Sequence, residues 1–315
     1  MTEHRKPLAT PTQPYLRLCK GHTFQVRTLG WSPDGAYLAV GGDGKTIRVW
    51  QAATGRSVCT YRGHARIWAL AWSPDSSHLA SVGRGDQGVQ VWDVTTGALL
   101  VRCQIPGEMS ALSWSSDGKY LASGCRSWDR TVTVWEAATG REMLLYRGHR
   151  KDVRAVTWSP KQLHLASADD EGIVQVWDAI TGQAHVVYQG HRSPVNALAW
   201  SPDEQCLASA SDDGTVHVWD ARTGVPVLTY QGHQPAYTHA VNALAWSPDG
   251  RHLASGSADH TVQVWEAEKG IHLVTYHGHG DRSVNALAWS PDGREIASGQ
   301  LSGTVHVWQP WKSGT

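Results

Sequence analysis

From Val195 to Tyr230 the chain alternates apolar residues with small or polar ones. VNALAWS reads as a short strand, SPDE as a turn and CLASAS as a second strand. DDG is a tight-turn signal, and TVHVW is a β-branched third strand of period 2. DARTG turns the chain again into a fourth strand, VPVLTY. Four strands in about 42 residues leave no room for a helix.

This pattern recurs along the chain. One Trp series stands at 50, 92, 135, 177, 219, 265 and 308, with spacings of 42, 43, 42, 42, 46 and 43. A second runs 31, 72, 114, 158, 200, 246, 289, followed by SPD in five copies, by SSD at 115–117 and by SPK at 159–161. Gly-His keeps step at 21–22, 63–64, 148–149, 190–191, 232–233 and 278–279. Many short strands at even spacing, with a Gly-His and a Trp per unit, predict a propeller. The repeats run near 21–62, 63–104, 105–147, 148–189, 190–231, 232–277 and 278–309 within a domain at 15–309. Residues 1–14 read as a flexible N-terminal segment and 310–315 as a tail.

The unit GH…WSPDG…LASGS.D.TV.VWD resembles the WD40 repeat over residues 15–308, and SPDG and LASGS resemble the wording of bacterial members. The resemblance implies an all-β, seven-bladed propeller of four-stranded antiparallel blades around a central channel. The last repeat stops at its third strand, VHVW (305–308), while YLRLCKGH (15–22) matches VLTYQGH. Residues 15–20 are therefore expected to complete the last blade, which removes an open sheet edge.

His, Ser, Asp and Trp recur together, which suggests catalysis until they are counted: one quartet repeated three times is not a single active site. The resemblance implies structural hydrogen-bonded tetrads at His64, Ser81, Asp86, Trp92; at His191, Ser209, Asp213, Trp219; and at His233, Ser255, Asp259, Trp265. Elsewhere the pattern breaks. Val40 takes the Ser position in repeat 1, Glu171 (beside Asp170) the Asp position in repeat 4, and Ser302 that position in repeat 7. Pro106 falls where repeat 3 should have its His, so blades 3 and 7 are expected to be the weaker ones.

Composition narrows the function. Lys+Arg and Asp+Glu are both 28, and this balance argues against nucleic acid or an acidic membrane as the main partner. No apolar run approaches a membrane span of about 20 residues, and the polar, Pro-containing start has no signal-peptide core. Five Cys without CxxC fit free thiols and a cytoplasmic chain. AVGGDGKT (39–46) matches a loose phosphate-loop pattern, but it spans two strands and a hairpin turn, not a strand and a helix. Seventeen His show no HxxxH or HxH cluster with acidic partners; no metal or cofactor is expected.

Loop lengths point to one face. Seven residues separate the first Trp from the strand-b Leu or Ile in every repeat, and eleven separate the strand-c Trp from the strand-d Tyr or Cys103. All insertions fall in the b–c loops of repeats 2 and 3 and the d–a loops of repeats 6 and 7, on the conventional top. The residue four before each first Trp should line the top mouth: Arg27, Trp68, Ser110, Arg154, Asn196, Asn242, Asn285. The last three repeats share VNALAWSPD; repeats 1 to 4 have diverged. Trp128, Arg66, Arg84, Arg126 and Lys151 lie in the neighbouring loops, and Tyr237 and His239 extend the patch. The favoured reading is a monomeric, non-enzymatic module binding a protein or peptide partner with acidic or aromatic anchors through the top of blades 1–4. A channel that binds a small molecule or metal, even enzymatically, is the alternative; a scaffold with no specific partner is another. Of the 17 Trp, 14 serve the repeat, and Trp311 has no evident role.

Overall fold

The computed structural model describes residues 24–85, 88–104, 107–127, 129–233 and 239–311, and the backbone of 17–18. They form seven four-stranded antiparallel sheets in a ring, a seven-bladed β-propeller without helices. Blade 1 shows the plan: strand a (Val26–Trp31), strand b (Tyr37–Gly42), strand c (Ile47–Gln51) and strand d (Ser57–Tyr61), hydrogen-bonded in that order. In blade 7, Arg17–Leu18 pairs with Val305–Trp308 as the outer strand, in register Arg17↔Val307 and Leu18↔His306. The N-terminal strand thus closes the last blade. The segment 39–46 lies in the strand b, turn, strand c hairpin of blade 1, without the helix a phosphate loop requires.

The apolar cores lie between blades. One joins Ala80, Val82 and Val91 of blade 2 to Met109, Leu112 and Trp135 of blade 3. Another joins Val26, Trp31 and Trp50 to Ala286, Ala297 and Val305 across the closure. The repeat's aromatics make these seams. Tyr146 of blade 3 stacks on Trp177 of blade 4 at 4.1 Å, and Tyr188, Tyr230 and Tyr276 stack on Trp219, Trp265 and Trp308 in the same way. Trp72, Trp200 and Trp246 of strand a donate Nε1–H to a backbone carbonyl of the preceding blade. Cys103 stands where blade 2 should carry Tyr, so no ring stack ties blade 2 to Trp135. Trp311 packs on His252 of blade 6, with ring centroids 5.0 Å apart. Among the described residues no helix is long and apolar enough to cross a membrane.

Where it is present among the described residues, a tetrad bridges strands inside one blade. His191 Nδ1 lies 3.0 Å from Asp213, its Nε2 lies 2.8 Å from Ser209 Oγ, and Trp219 donates Nε1–H to that same Oγ. His233, Asp259, Ser255 and Trp265 repeat the arrangement. Burial opposes ionisation of Asp259, yet hydrogen bonds from His233 and Thr261 hold its carboxyl down at about 2. His64, Ser81 and Trp92 are likewise linked at 2.9 Å, while Asp86 lies outside the described residues. Blade 4 departs from the sequence expectation. Neither Glu171 nor Asp170 serves His149: Asp169, two residues before Glu171 and almost wholly buried, sits 2.8 Å from its Nδ1. Asp169 Oδ1 also accepts from the amides of Glu171 and Ile173, so one carboxylate both fixes the turn and meets the His. In blade 7, Gln300 Oε1 lies 3.2 Å from His279 Nδ1 and Ser302 is its second neighbour, so Gln300 and not Ser302 meets the His.

Candidate functional site at the channel mouth

Every strand a carries a one-residue break in its ladder to strand b. The skipped residues are 27, 68, 110, 154, 196, 242 and 285. A bulge leaves its extra residue unpaired and re-aims the side chain. Here it turns Arg27, Trp68, Ser110, Arg154, Asn196, Asn242 and Asn285 into one cavity of about 220 Å³, joined by Arg126.

The two sides of this ring differ. On one side the Asn side chains bond among themselves and to neighbours: Asn196 to Asp212 and the Val241 carbonyl, Asn242 to Ser283, the Val284 carbonyl and Asn285. Arg154 completes this belt through Asp170, Asp212 and Asn196. On the other side three guanidinium groups crowd the Trp68 ring: Arg27 at 4.3 Å, Arg126 at 5.3 Å and Arg66 at 5.6 Å from its centroid. Asp43 pairs with both Arg27 and Arg66. Arg126 has no ion pair among the described residues and is half-buried. Trp68 Nε1–H is buried and without a hydrogen-bond partner there.

Of the remaining expected contact residues, Arg84, Lys151 and His239 do not line this cavity. Arg84 pairs with Glu108 at 3.1 Å and Lys151 meets Glu171 at 4.0 Å, both pairs well exposed. His239 is exposed beside the Gly214 turn of blade 5. Trp128 and Tyr237 lie outside the described residues. As counted from the first Trp of each repeat, the mouth draws a residue from all seven blades, because the bulge occurs in each. Arg126 belongs to the mouth itself, since strand b of blade 3 (Tyr120–Cys125) delivers it over Trp68. Among the described residues that line the cavity there is no His, Cys, Asp or Glu, and the Ser110 hydroxyl donates to the Val153 carbonyl at 2.5 Å.

The structure also assembles a second cluster invisible to short motifs. His164, Asp178 and His185 of blade 4 come within 4.8 Å of one another from three different strands.

Comparison with known proteins agrees with this architecture. The family model described as WDR19 first beta-propeller matches residues 68–234, just over half of the chain. The model described as WD domain, G-beta repeat matches 13–51, 224–266 and 270–309. A ribosome biogenesis protein BOP1 homolog of Drosophila ananassae is 27% identical over 154 residues, 49% of this chain and 19% of that protein. The BOP1 homolog of Drosophila virilis is 39% identical over 57 residues, 18% of this chain and 7% of that protein. Ribosome biogenesis protein ERB1 of Debaryomyces hansenii is 41% identical over 64 residues, 18% and 8% of the two chains. The chain spans less than a fifth of the length of these curated relatives. With its repeats matched and seven four-stranded blades closed by the N-terminal strand, the chain belongs to the WD40-repeat β-propeller family.

Proposed function

We propose that the protein is a non-enzymatic interaction module whose channel mouth takes an acidic segment of a protein partner. One observation carries the reading: Arg126 lies on the Trp68 ring at the cavity rim with no ion pair among the described residues. Arg27, Arg66 and Arg154 are each committed to a carboxylate, and Arg126 is the guanidinium left over. A planar guanidinium held on an aromatic face is pre-organised to take a carboxylate in two parallel hydrogen bonds. Trp68 adds an apolar face and a buried N–H that an acceptor on the ligand would satisfy. Trp and Arg are also the residue types that dominate binding hot spots. The relatives' printed names, ribosome biogenesis proteins, fit binding better than catalysis.

The test uses fluorescent peptides rich in Asp and Glu, some with a central aromatic residue, against the whole chain. Arg126→Ala should weaken binding by roughly tenfold or more, the loss of one desolvated charge-assisted contact. Trp68→Ala should do the same, and Lys151→Ala, out in an exposed pair, should change little. Binding that is equal in all four proteins would place the site elsewhere.

A further inference from the structure

We propose that blade 4 carries a divalent transition-metal site on the face opposite the mouth, formed by His164, Asp178 and His185. The three donors are brought together by antiparallel pairing. His164 opens strand b (His164–Asp169) and is the register partner of Asp178, which ends strand c (Val174–Asp178). His185 is the second residue of strand d (Ala184–Tyr188), just past a register shift at Val176/Trp177. The two imidazole rings stand 5.1 Å apart at 67°, and one ligand atom from each of the three residues falls within 4.8 Å of the others.

The donors are available. Asp178 Oδ1 accepts from the Ile180 and Thr181 amides and the Thr181 hydroxyl, which fixes the c–d turn. That leaves Oδ2 without a hydrogen bond among the described residues, and the same bonds hold the carboxyl ionised, below the usual carboxylate range. Neither the His164 nor the His185 imidazole hydrogen-bonds to a described residue. A cavity of about 260 Å³ adjoins both, lined also by Gln162, Glu204 and Arg222. It has room for the water or exogenous ligand of an open coordination position.

Comparison among the blades separates this cluster from the repeat pattern. His also stands at the His164 position in blades 2 and 6, as His78 and His252. His78 Nδ1 is taken by Ser77 Oγ at 2.7 Å, and His252 packs on Trp311. The position of His185 holds Val58, Leu100, Met143, Val227 and Leu273 in the other blades with a described strand d. Blade 4 alone among these combines the third donor with the other two. Two imidazoles and a carboxylate suit Zn²⁺, Co²⁺, Ni²⁺ or Cu²⁺ rather than Mg²⁺, which prefers an oxygen shell. Zinc bonds of about 2.1 Å need donors closer than 4.8 Å, and the exposed His185 side chain is free to close that gap by rotation.

The experiment titrates the chelator-stripped full chain with Zn²⁺, and separately with Mg²⁺, by calorimetry near neutral pH. Wild type should take up about one Zn²⁺ and no Mg²⁺. His185→Leu, the residue blades 2 and 6 hold there, should lose zinc affinity at least about tenfold while its metal-free melt is unchanged. His78→Tyr, the residue of blades 1 and 3 at that position, should bind as wild type does. The proposal is overturned by absence of zinc uptake, by equal affinity in His185→Leu, or by an equal loss in His78→Tyr.

Discussion

A carboxylate displaced by two positions settles the hydrogen bonding of blade 4. Asp169 occupies the place that Ser211 and Ser257 hold in blades 5 and 6, at the end of strand b and two residues before the turn position of Asp213 and Asp259. It still reaches His149, because the strand-b end and the turn converge on the same imidazole. The two acids therefore differ in consequence. Asp169→Ala would leave His149 Nδ1 and two turn amides without their acceptor, at a cost of about 1–3 kcal/mol. Among the described residues the Glu171 carboxylate pairs only with Lys151, at 4.0 Å in solvent, so Glu171→Ala should stay within about 0.5 kcal/mol of wild type. Urea unfolding of the two variants measures this, and the reverse order would mean that Glu171 is the acid that matters. The same logic of leftover groups marks Arg126: it stands out because its neighbours Arg27, Arg66 and Arg154 are already paired.

At the level of strands, blades 5 and 7 differ from the rest by a second imidazole in strand c. His217 lies flat on His191 with ring centroids 3.9 Å apart, and His306 on His279 at 4.5 Å. Burial, reinforced by His191, pushes His217 down to about 4; burial and His306 push His279 down to about 3; burial lowers His306 as well. A stacked imidazole pair cannot hold two protons in a buried seam. The unfolded chain binds those protons near pH 6.5, while the folded chain does not until pH falls to about 3–4. Stability from these groups is therefore whole above about pH 6.5 and declines as pH falls toward 4, before most carboxylates titrate. Gln fills the same position in blades 2, 4 and 6, where Gln263 accepts from Tyr230 and donates to the Gly232 carbonyl. His217→Gln with His306→Gln should thus keep the seams and flatten the melting temperature between pH 7 and about 4.5. A double variant with the wild-type acid profile would contradict the assignment.

The whole molecule is a ring of shared cores, so each blade depends on both neighbours. The closure is the one place where strands far apart in sequence must meet, and Arg17–Leu18 there covers the edge of Val305–Trp308. Removing residues 1–20 should expose that edge and leave the last blade three-stranded. Light scattering should then show aggregation, or thermal melts should broaden; a truncated chain as soluble and as sharply melting as wild type would show that the strand is dispensable. Much of this architecture is legible in the sequence. Periodicity of two within strands and about 42 between Trp residues dictates blade number, strand order and the two Trp per blade, because these follow from local alternation and copying. The seven mouth positions can likewise be counted from the first Trp of each repeat. Only the tertiary structure decides which of those side chains are already spent. That Asp43 takes Arg27 and Arg66 while Arg126 has no ion pair among the described residues, that Asp169 replaces Glu171, and that His164, Asp178 and His185 meet all depend on strands closing over one another. Residue spacing is a one-dimensional property, whereas pairing of buried charges and donors is decided by distances across blades and turns that spacing does not encode.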